Sequence, residues 1–440
     1  MSGDSGGYRG AGLQLLSRYG VAAGDAVSVV TAEGEMKGVL MPRYESASED
    51  YIVIKLKSGY NAGIDVAKVR AIIMIKDSAR SESPAAAAAP MPAENSGLPR
   101  IALISTGGTI ASKIDYRTGG VRAALSASEL YASVPELASL ATVDPEVLMS
   151  EYSENLTPEH WSAIAEKVAE KVREGRYAGV IISHGTDTMH YTAAALSFAL
   201  QCLPIPVVLV GAQRSSDRPS SDAALNMLGA TVFAANAKVA GVFVAMHAGT
   251  SDDAVAVHVG TRVRKNHTSR RDAFESIDAT PVALVKNGRI EMQAGSGTEL
   301  ASREGKGELK LQSKFDASVA LLKYHPGFDP AMIDNAKCKA IILEGTGLGH
   351  VNRNCLPSLK KAVEKGVLVC MTSQCIWGRV RLTVYDTGRD LLDIGVVPLS
   401  DMISETAAAK AMWALANAQD VKKAMQENIA SEISEAIPII

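Results

Sequence analysis

Two rhythms of apolar residues divide the chain. Between Asp25 and Ile75, short apolar runs at 26–31, 36–41, 51–56 and 69–75 are separated by Glu33-Gly34, Pro42, Ser58-Gly59 and Asn61-Ala62-Gly63. Runs of this length between glycine- and asparagine-bearing turns predict strands joined by hairpins. No helix of useful length fits between Val21 and Lys76. From Arg100 onward, strand-length runs alternate with stretches of helical spacing. Thr157-Pro158 offers a capping hydroxyl and a first-turn proline, and Trp161, Ile164, Val168 and Val172 then recur one helical turn apart until Gly175. A strand at 179–183, a helix at 189–201, a strand at 207–211, a helix after Ser221-Asp222 and a strand at 242–246 follow. This alternation predicts a parallel sheet with helices on both faces. A second, smaller α/β unit begins near Asp316, with strands at 319–323, 340–343 and 367–372 and a C-terminal helix at 405–417 that buries Met412, Trp413 and Leu415.

Punctuation sets the boundaries. Ser83-Pro84, five alanines, Pro90-Met91-Pro92 and Asn95-Ser96-Gly97 read as a linker. The alanine run is too short to hold a helix in water unaided. The expected organisation is a flexible tail over 1–20, a small SH3-like β-barrel over 21–77, a linker over 78–99, and α/β domains over 100–315 and 316–440. A barrel of this size, without clustered His, Cys or carboxylates, predicts a docking module and not a catalytic one.

Composition narrows this only in places. At 440 residues and 47% hydrophobic, the chain can build more than one core. A formal charge of −3 argues against general affinity for nucleic acid, while a few well-placed Lys or Arg would suffice for a local tRNA contact. Residues 1–20 lack the apolar core of a signal peptide and the longest apolar runs are strand-length, so a cytoplasmic chain without membrane spans is expected. Cys202, Cys338, Cys355, Cys370 and Cys375 show no Cys-x-x-Cys spacing, and buried reduced thiols are the expectation.

Candidate chemistry sits in three segments: Ser105-Thr106-Gly107-Gly108-Thr109-Ile110-Ala111, Ser183-His184-Gly185-Thr186-Asp187-Thr188-Met189 and Arg264-Lys265-Asn266-His267-Thr268. The first two place threonine beside glycine just after an apolar strand, at the end of a parallel sheet where ligands bind and where glycine lets backbone approach them. Amide hydrolysis needs a nucleophile, a base and donors for the oxyanion. Thr186 and Asp187 are adjacent, and Lys265 would have to close onto them from elsewhere in the chain. Lysine becomes a base only where its surroundings favour the neutral form. Each residue alone has a plainer reading: Asp187 as a helix cap, Lys265 within Arg262-Val263-Arg264-Lys265 as a solvated basic face, Ser153 as a loop serine, His184 as a hydrogen-bonded core histidine. His247, His258, His267 and His350 lack metal-ligand spacing, and no metal is assigned. Gly345-Thr346-Gly347-Leu348-Gly349 lacks the Lys-Ser/Thr of a phosphate loop and reads as a turn.

Thr-Gly-Gly-Thr-Ile followed by His-Gly-Thr-Asp-Thr-Met resembles the L-asparaginase and glutaminase family, which uses a threonine nucleophile, and the resemblance runs from about Arg100 to the C-terminus. It implies an α/β fold in which a two-domain asparaginase-like unit with parallel sheets follows the small N-terminal β-barrel. It assigns Thr109 as the first nucleophilic threonine, oriented by Tyr116 of a mobile loop, and Thr186, Asp187 and Lys265 as the threonine-aspartate-lysine set. Ser153 matches a contact to the substrate carboxylate, Asp187 also one to its α-amino group, and backbone around Gly108 and Gly185 lies against the substrate. Which threonine attacks first stays open. Asparaginases do not ordinarily begin with a barrel; Gly24-Asp25, Gly38-Val39-Leu40-Met41-Pro42-Arg43 and Lys55-Leu56-Lys57-Ser58-Gly59-Tyr60-Asn61 resemble the N-terminal domain of the GatD subunits of archaeal glutamyl-tRNA(Gln) amidotransferases. That resemblance implies a glutaminase without a cofactor of its own. ATP and Mg2+ would be used by a GatE-like partner, which also makes most of the contact with Glu-tRNA(Gln), and a homodimer of this chain would sit within a heterotetramer. Two other readings compete: a standalone L-asparaginase with an accessory barrel, and a non-catalytic tRNA-binding or scaffold protein. The joint presence of Thr109, Tyr116, Thr186, Asp187 and Lys265 weighs against the last.

Overall fold

A computed structural model describes residues 7–41, 43, 48–56, 61–75, 97–107, 112–114, 121–123, 134–214, 221–293, 300–303 and 308–435. Most of the expected linker therefore lies outside the described residues. The N-terminal region is an antiparallel, barrel-like sheet in the spatial order Asn61–Asp65, Tyr51–Leu56, Glu35–Leu40, Ala26–Thr31, Val69–Met74. Alternate side chains of its strands point to one side, as the pleat requires, and Val27, Val29, Leu40, Ile52, Ile54, Ile64 and Ile72 make its core.

Two expectations fail in this region. Asn61-Ala62-Gly63, read as a turn, opens the strand Asn61–Asp65, which pairs with Tyr51–Leu56 at Ile54↔Ala62 and Ile52↔Ile64. The buried Ile64 supplies the inward position that makes this segment worth pairing. Nor is 1–20 all tail: Gly10–Tyr19 is a helix that buries Leu16 and packs Leu13, Leu15 and Tyr19 on the same core, ending at Gly20 with φ 62°. Tyr8 anchors it, its hydroxyl donating to Met41 O at 2.7 Å and accepting from Val53 N at 3.0 Å. The glycines that suggest flexibility conceal this apolar face.

The larger sheet runs Arg289–Met292, Ala283–Lys286, Val255–Val259, Val239–His247, Pro206–Val210, Gly179–Ser183, Arg100–Ser105, Thr142–Val147. From Val239–His247 to Thr142–Val147 every pairing is parallel, as the alternation predicts. Beyond Val239–His247 the sheet turns antiparallel, its strands after residue 250 being joined without the helical crossovers that parallel pairing uses. The parallel strands bury both faces. Ile101, Leu103, Ile181, Val208 and Val210 pack on one side with helix Ala223–Asn236; Ala102, Ile104, Val180, Ile182, Val207 and Leu209 pack on the other with helices Pro158–Arg173 and Met189–Ala199. Helix Pro158–Arg173 carries the expected threonine cap as a capping box, with His160 as its third-position partner.

Arg100–Ser105 is followed by a strand on one side of it, whereas Gly179–Ser183 is followed by a strand on the other. The order in which strands are added thus reverses between these two parallel neighbours, and it is beyond the carboxyl ends at such a switch point that open α/β sheets bind ligands.

The C-terminal unit is a parallel sheet in the order Val319–Lys323, Ala340–Gly345, Leu368–Ser373, Val397–Pro398. Helix Ser404–Asn417 lies against helix Met189–Ala199, so Phe198, Ala194 and Ala195 share one core with Trp413, Ala407, Ala411 and Ile342. All five cysteines are free; Cys355 and Cys370 are buried as expected, while Cys202 and Cys375 are exposed, Cys202 in a turn at φ 58°. Among the described residues no helix is long and apolar enough to cross a membrane.

Helix Ser404–Asn417 buries charge. Lys410 and Glu432 are both fully enclosed and pair at 2.5 Å; Lys410 also donates to Met425 O, and Glu432 accepts from the Ile429 and Ala430 amides. Removing one partner strands the other charge in the core, which costs about 3–5 kcal/mol. Glu432→Ala is therefore expected to lower the urea midpoint severely, and the double variant Lys410→Met/Glu432→Leu to lower it less than Glu432→Ala alone. A double variant at least as unstable as that single one would show that the pair is not what this region depends on.

Candidate functional site

Register aligns the loops that carry the motifs. Ser105 lies opposite Ser183 and Val147, and Ser183 opposite Val210, so these strands end at one level. Thr106 closes the first strand by donating from its amide and its hydroxyl to Ser183 O, at 3.1 and 2.9 Å. Gly107 follows at φ 121°, where a Cβ would stand 2.2 Å from Glu151 O; the turn admits only glycine. Gly108, Thr109 and Tyr116, assigned from the sequence, lie outside the described residues.

The second motif is fully described. His184 leaves its strand with its amide bonded to Val210 O, and its ring is enclosed. Its Nδ1 lies 2.6 Å from Gly185 O and its Nε2 2.9 Å from Thr192 Oγ1, which accepts at 3.1 Å from Trp161 Nε1. Proton counting fixes the tautomer: Trp161 donates to Thr192, Thr192 to Nε2, and Nδ1–H to the Gly185 carbonyl. Burial holds this ring down to about 4, so it is neutral near pH 7. His184 is thus the hydrogen-bonded core histidine the sequence suggests, and it orients the peptide that leads into Thr186.

Gly185 sits against Ser153: a Cβ on Gly185 would lie 2.9 Å from Ser153 Cβ and 3.0 Å from its Oγ. Ser153 is buried at the start of the short helical turn Ser153–Asn155, and its carbonyl accepts from Thr188 Oγ1 at 2.6 Å. Two segments named from sequence, around 153 and 185, are thereby brought into contact.

Lys265 completes the group. Its strand, Val263–Lys265, pairs with Phe274–Ser276. Nζ donates to Thr186 Oγ1 at 2.9 Å and to Asp187 Oδ1 at 2.6 Å, with the lysine side chain only 8% exposed. Asp187 does not cap the following helix; Thr188 occupies that position, and the carboxylate is engaged by Lys265. Nor is 262–265 a solvated basic face, since Arg262 is fully buried. Because Nζ donates to Thr186 Oγ1, the threonine's own hydrogen is free to point at a reacting group. A neutral Nζ in the same position would accept that hydrogen. This arrangement can pass a proton between a hydroxyl nucleophile and an amine.

Sequence reading missed the supports of this site. Trp161 and Thr192, which fix the His184 ring, and the pair Arg264 Nε to Glu405 Oε1, at 2.7 Å, were not signalled as parts of the site. One signal was present: Glu405 and Lys410 are charged positions in an otherwise small and apolar helix, and charges in such a helix need buried partners.

Comparison with known proteins agrees with this layout. The family described as "Asparaginase, N-terminal" matches residues 100–296, "Glutaminase/Asparaginase C-terminal domain" matches 318–427, and "GatD N-terminal domain" matches 21–75. The D subunit of the glutamyl-tRNA(Gln) amidotransferase of Pyrococcus furiosus is 46% identical over 96% of this chain and 97% of its own length; that of Thermofilum pendens is 44% identical over 98% and 97%. The thermostable L-asparaginase from Thermococcus kodakarensis superposes with a TM-score of 0.69 at 34% identity, covering 77% of this chain and all of its own. L-asparaginase I from Vibrio cholerae gives 0.66 at 29%, covering 77% and 99%.

A pH dependence follows from the enclosed histidines. Burial lowers His184, His190 and His258 from 6.5 to about 4. Between these values the unfolded chain binds protons that the folded chain does not, so stability is lost as pH falls from about 6.5 toward 4, on the order of 1–2 kcal/mol per ring at pH 5. The urea midpoint should drop from pH 7 to pH 5, and the ring resonances of these three histidines should not titrate between pH 5.5 and 8. An unchanged midpoint with titrating rings would contradict the neutral assignment.

Proposed function

The chain belongs to the GatD family of glutamyl-tRNA(Gln) amidotransferase subunits, and we propose that it is the glutaminase of such an enzyme, hydrolysing glutamine to supply the ammonia that converts Glu-tRNA(Gln) to Gln-tRNA(Gln). The observation that carries the catalytic half of this reading is the contact of Lys265 with both Thr186 and Asp187. In the proposed mechanism Thr109, assisted by Tyr116, is acylated by the side-chain amide and ammonia leaves. Thr186, Asp187 and Lys265 bind substrate and relay the proton, and Ser153 with the backbone at Gly108 and Gly185 holds the substrate in place. Water then releases glutamate from the acyl-enzyme. The reversed order, with Thr186 attacking first, uses the same groups.

Membership of this family implies partner subunits. We assign to a GatE-like partner the activation of the tRNA-borne glutamate with ATP and Mg2+ and most of the contact with tRNA, in a cytoplasmic heterotetramer built on a homodimer of this chain. The standalone L-asparaginase reading is less well supported, because the asparaginase structures cover 77% of the chain whereas the GatD relatives cover 96–98% and the N-terminal region has its own match.

Single alanine variants of Thr109, Thr186, Asp187 or Lys265 are expected to lose roughly a thousandfold or more in glutamine hydrolysis, since such groups act as a unit. Ammonium supplied directly should restore amidation by the variant complex. Near-normal hydrolysis by folded Thr186→Ala or Lys265→Ala protein would defeat the assignment. Ammonia release from glutamine should be slow for the isolated chain and rise when the GatE-like partner and Glu-tRNA(Gln) bind. Fast turnover of asparagine by the isolated chain, indifferent to partner and tRNA, would favour the standalone asparaginase.

A further inference from the structure

The strand that carries Lys265 is short and lies off the main sheet. Val263–Lys265 has three residues, and its described ladder is the pairing with Phe274–Ser276. Successive side chains of a strand point to opposite sides. Val263 and Lys265 face the large sheet: Val263 is buried with Ile104, Ile182 and Met189, and Lys265 reaches Thr186 and Asp187. Arg262 and Arg264 face the other way, into the C-terminal unit. Arg262, fully buried, donates from Nη1 to Asp401 Oδ2 at 2.8 Å and from Nε to Ser431 O at 2.8 Å. Arg264 Nε donates to Glu405 Oε1 at 2.7 Å, and its Nη1 to Asn266 Oδ1 at 3.1 Å. One residue earlier, Thr261 donates to Ala430 O and accepts from the Thr406 hydroxyl, both at 2.8 Å.

We propose that the C-terminal unit positions the lysine of the site, with Arg264 and Glu405 as the positioning pair. The inference rests on the glutaminase reading for its kinetic consequence only. Glu405 lies in the first turn of helix Ser404–Asn417, which is locked against helix Met189–Ala199. That second helix begins just after Thr186 and Asp187. The two sides of the Lys265 contact are thus referenced to one packed helix pair: Thr186 and Asp187 through the start of one helix, Lys265 through the carboxylate on the other. Arg262 and Thr261 hold the strand in place. Arg264, being adjacent to Lys265, fixes the direction in which its side chain leaves.

A shift of about 1 Å in a reacting group can cost on the order of a hundredfold in rate. The test uses the full chain with its GatE-like partner, carrying Glu405→Gln, Arg264→Met or both. Two quantities are read: kcat and KM for glutamine hydrolysis, and the rate at which acetic anhydride labels Lys265 relative to the protein's other lysines, followed by peptide mass spectrometry. Each single variant should lower kcat ten- to a hundredfold with KM changed less than threefold. The double variant should be no worse than the poorer single one, because both act through one contact. Labelling of Lys265 should rise severalfold while that of Lys167 and Lys171 stays constant, and Glu405→Asp and Arg264→Lys should recover part of both properties. Losses of kcat without any change at Lys265, or labelling raised equally at all lysines, would overturn the proposal, as would wild-type kinetics and labelling. If the wild-type complex hydrolyses no glutamine, the functional reading fails while labelling still decides this one. If the Gln and Met variants do not fold, Arg264→Lys decides it by the same labelling ratio: a rise at Lys265 alone supports the proposal and an unchanged ratio overturns it.

Discussion

An ammonium group 2.9 Å from one hydroxyl and 2.6 Å from one carboxylate, contributed by segments almost eighty residues apart, constrains nearly everything around it. Thr186 and Asp187 occupy a turn whose entry is fixed by a strand buried on both faces and whose exit is fixed by a helix buried nearly all round. Lys265 arrives from a strand outside that sheet. Holding the three together to within a fraction of an ångström needs both α/β units to act as one rigid frame. The shared core of Phe198, Trp413 and their alanine neighbours supplies it: small side chains let the two helices approach closely, and dense packing leaves little room to slide.

The charges that cross this frame are costly to bury and directional once buried. Arg262 with Asp401 is almost completely enclosed, and the carboxylate gains further donors from the Ser434 amide and hydroxyl. Arg262 lowers Asp401 even though burial alone would raise it, so the guanidinium and the hydrogen bonds outweigh desolvation. Such a pair adds little net stability compared with apolar packing of the same shape. Its consequence is registry: an apolar contact tolerates sliding, whereas a guanidinium bonded to both a carboxylate and the Ser431 carbonyl does not.

Strands and helices of the α/β units were legible in the sequence because each carries its period over several residues. Gly179–Ser183 and Val319–Lys323 coincide with their expected bounds, and helix Pro158–Arg173 is announced by a cap, a proline and four apolar residues at helical spacing. The failures have a common cause. Asn61–Asp65 and Gly10–Tyr19 contain turn-like residues whose conformation is decided by a tertiary partner, Ile64 and Leu16 each entering the same small core. The antiparallel extension of the main sheet was hidden because strand-length runs do not state their direction. At the site, Thr186 and Asp187 could be named because they lie in a glycine-bearing loop after a strand, where chemistry is expected, whereas Lys265 and Ser153 took their roles from the family resemblance. Glu405, Thr192 and Trp161 could not be named, since each acts through another residue and looks locally like ordinary helix.

The barrel-like region and the catalytic frame have separate cores: among the described residues the cluster around Val27, Ile52 and Ile72 contains no side chain from beyond residue 97. Independent cores make it possible to add or lose the first region without disturbing the second, which is consistent with asparaginase structures that cover the catalytic part alone. The catalytic frame cannot be divided in the same way. Its C-terminal unit is tied through Arg262 and Arg264 to the strand bearing Lys265 and through helix Ser404–Asn417 to the helix that follows Thr186, so a displacement between the units would move the amine away from the hydroxyl it contacts. A partner bound to the C-terminal unit could therefore alter the contact between Lys265 and Thr186 from a distance, whereas a partner bound to the barrel could do so only by reaching across to that frame.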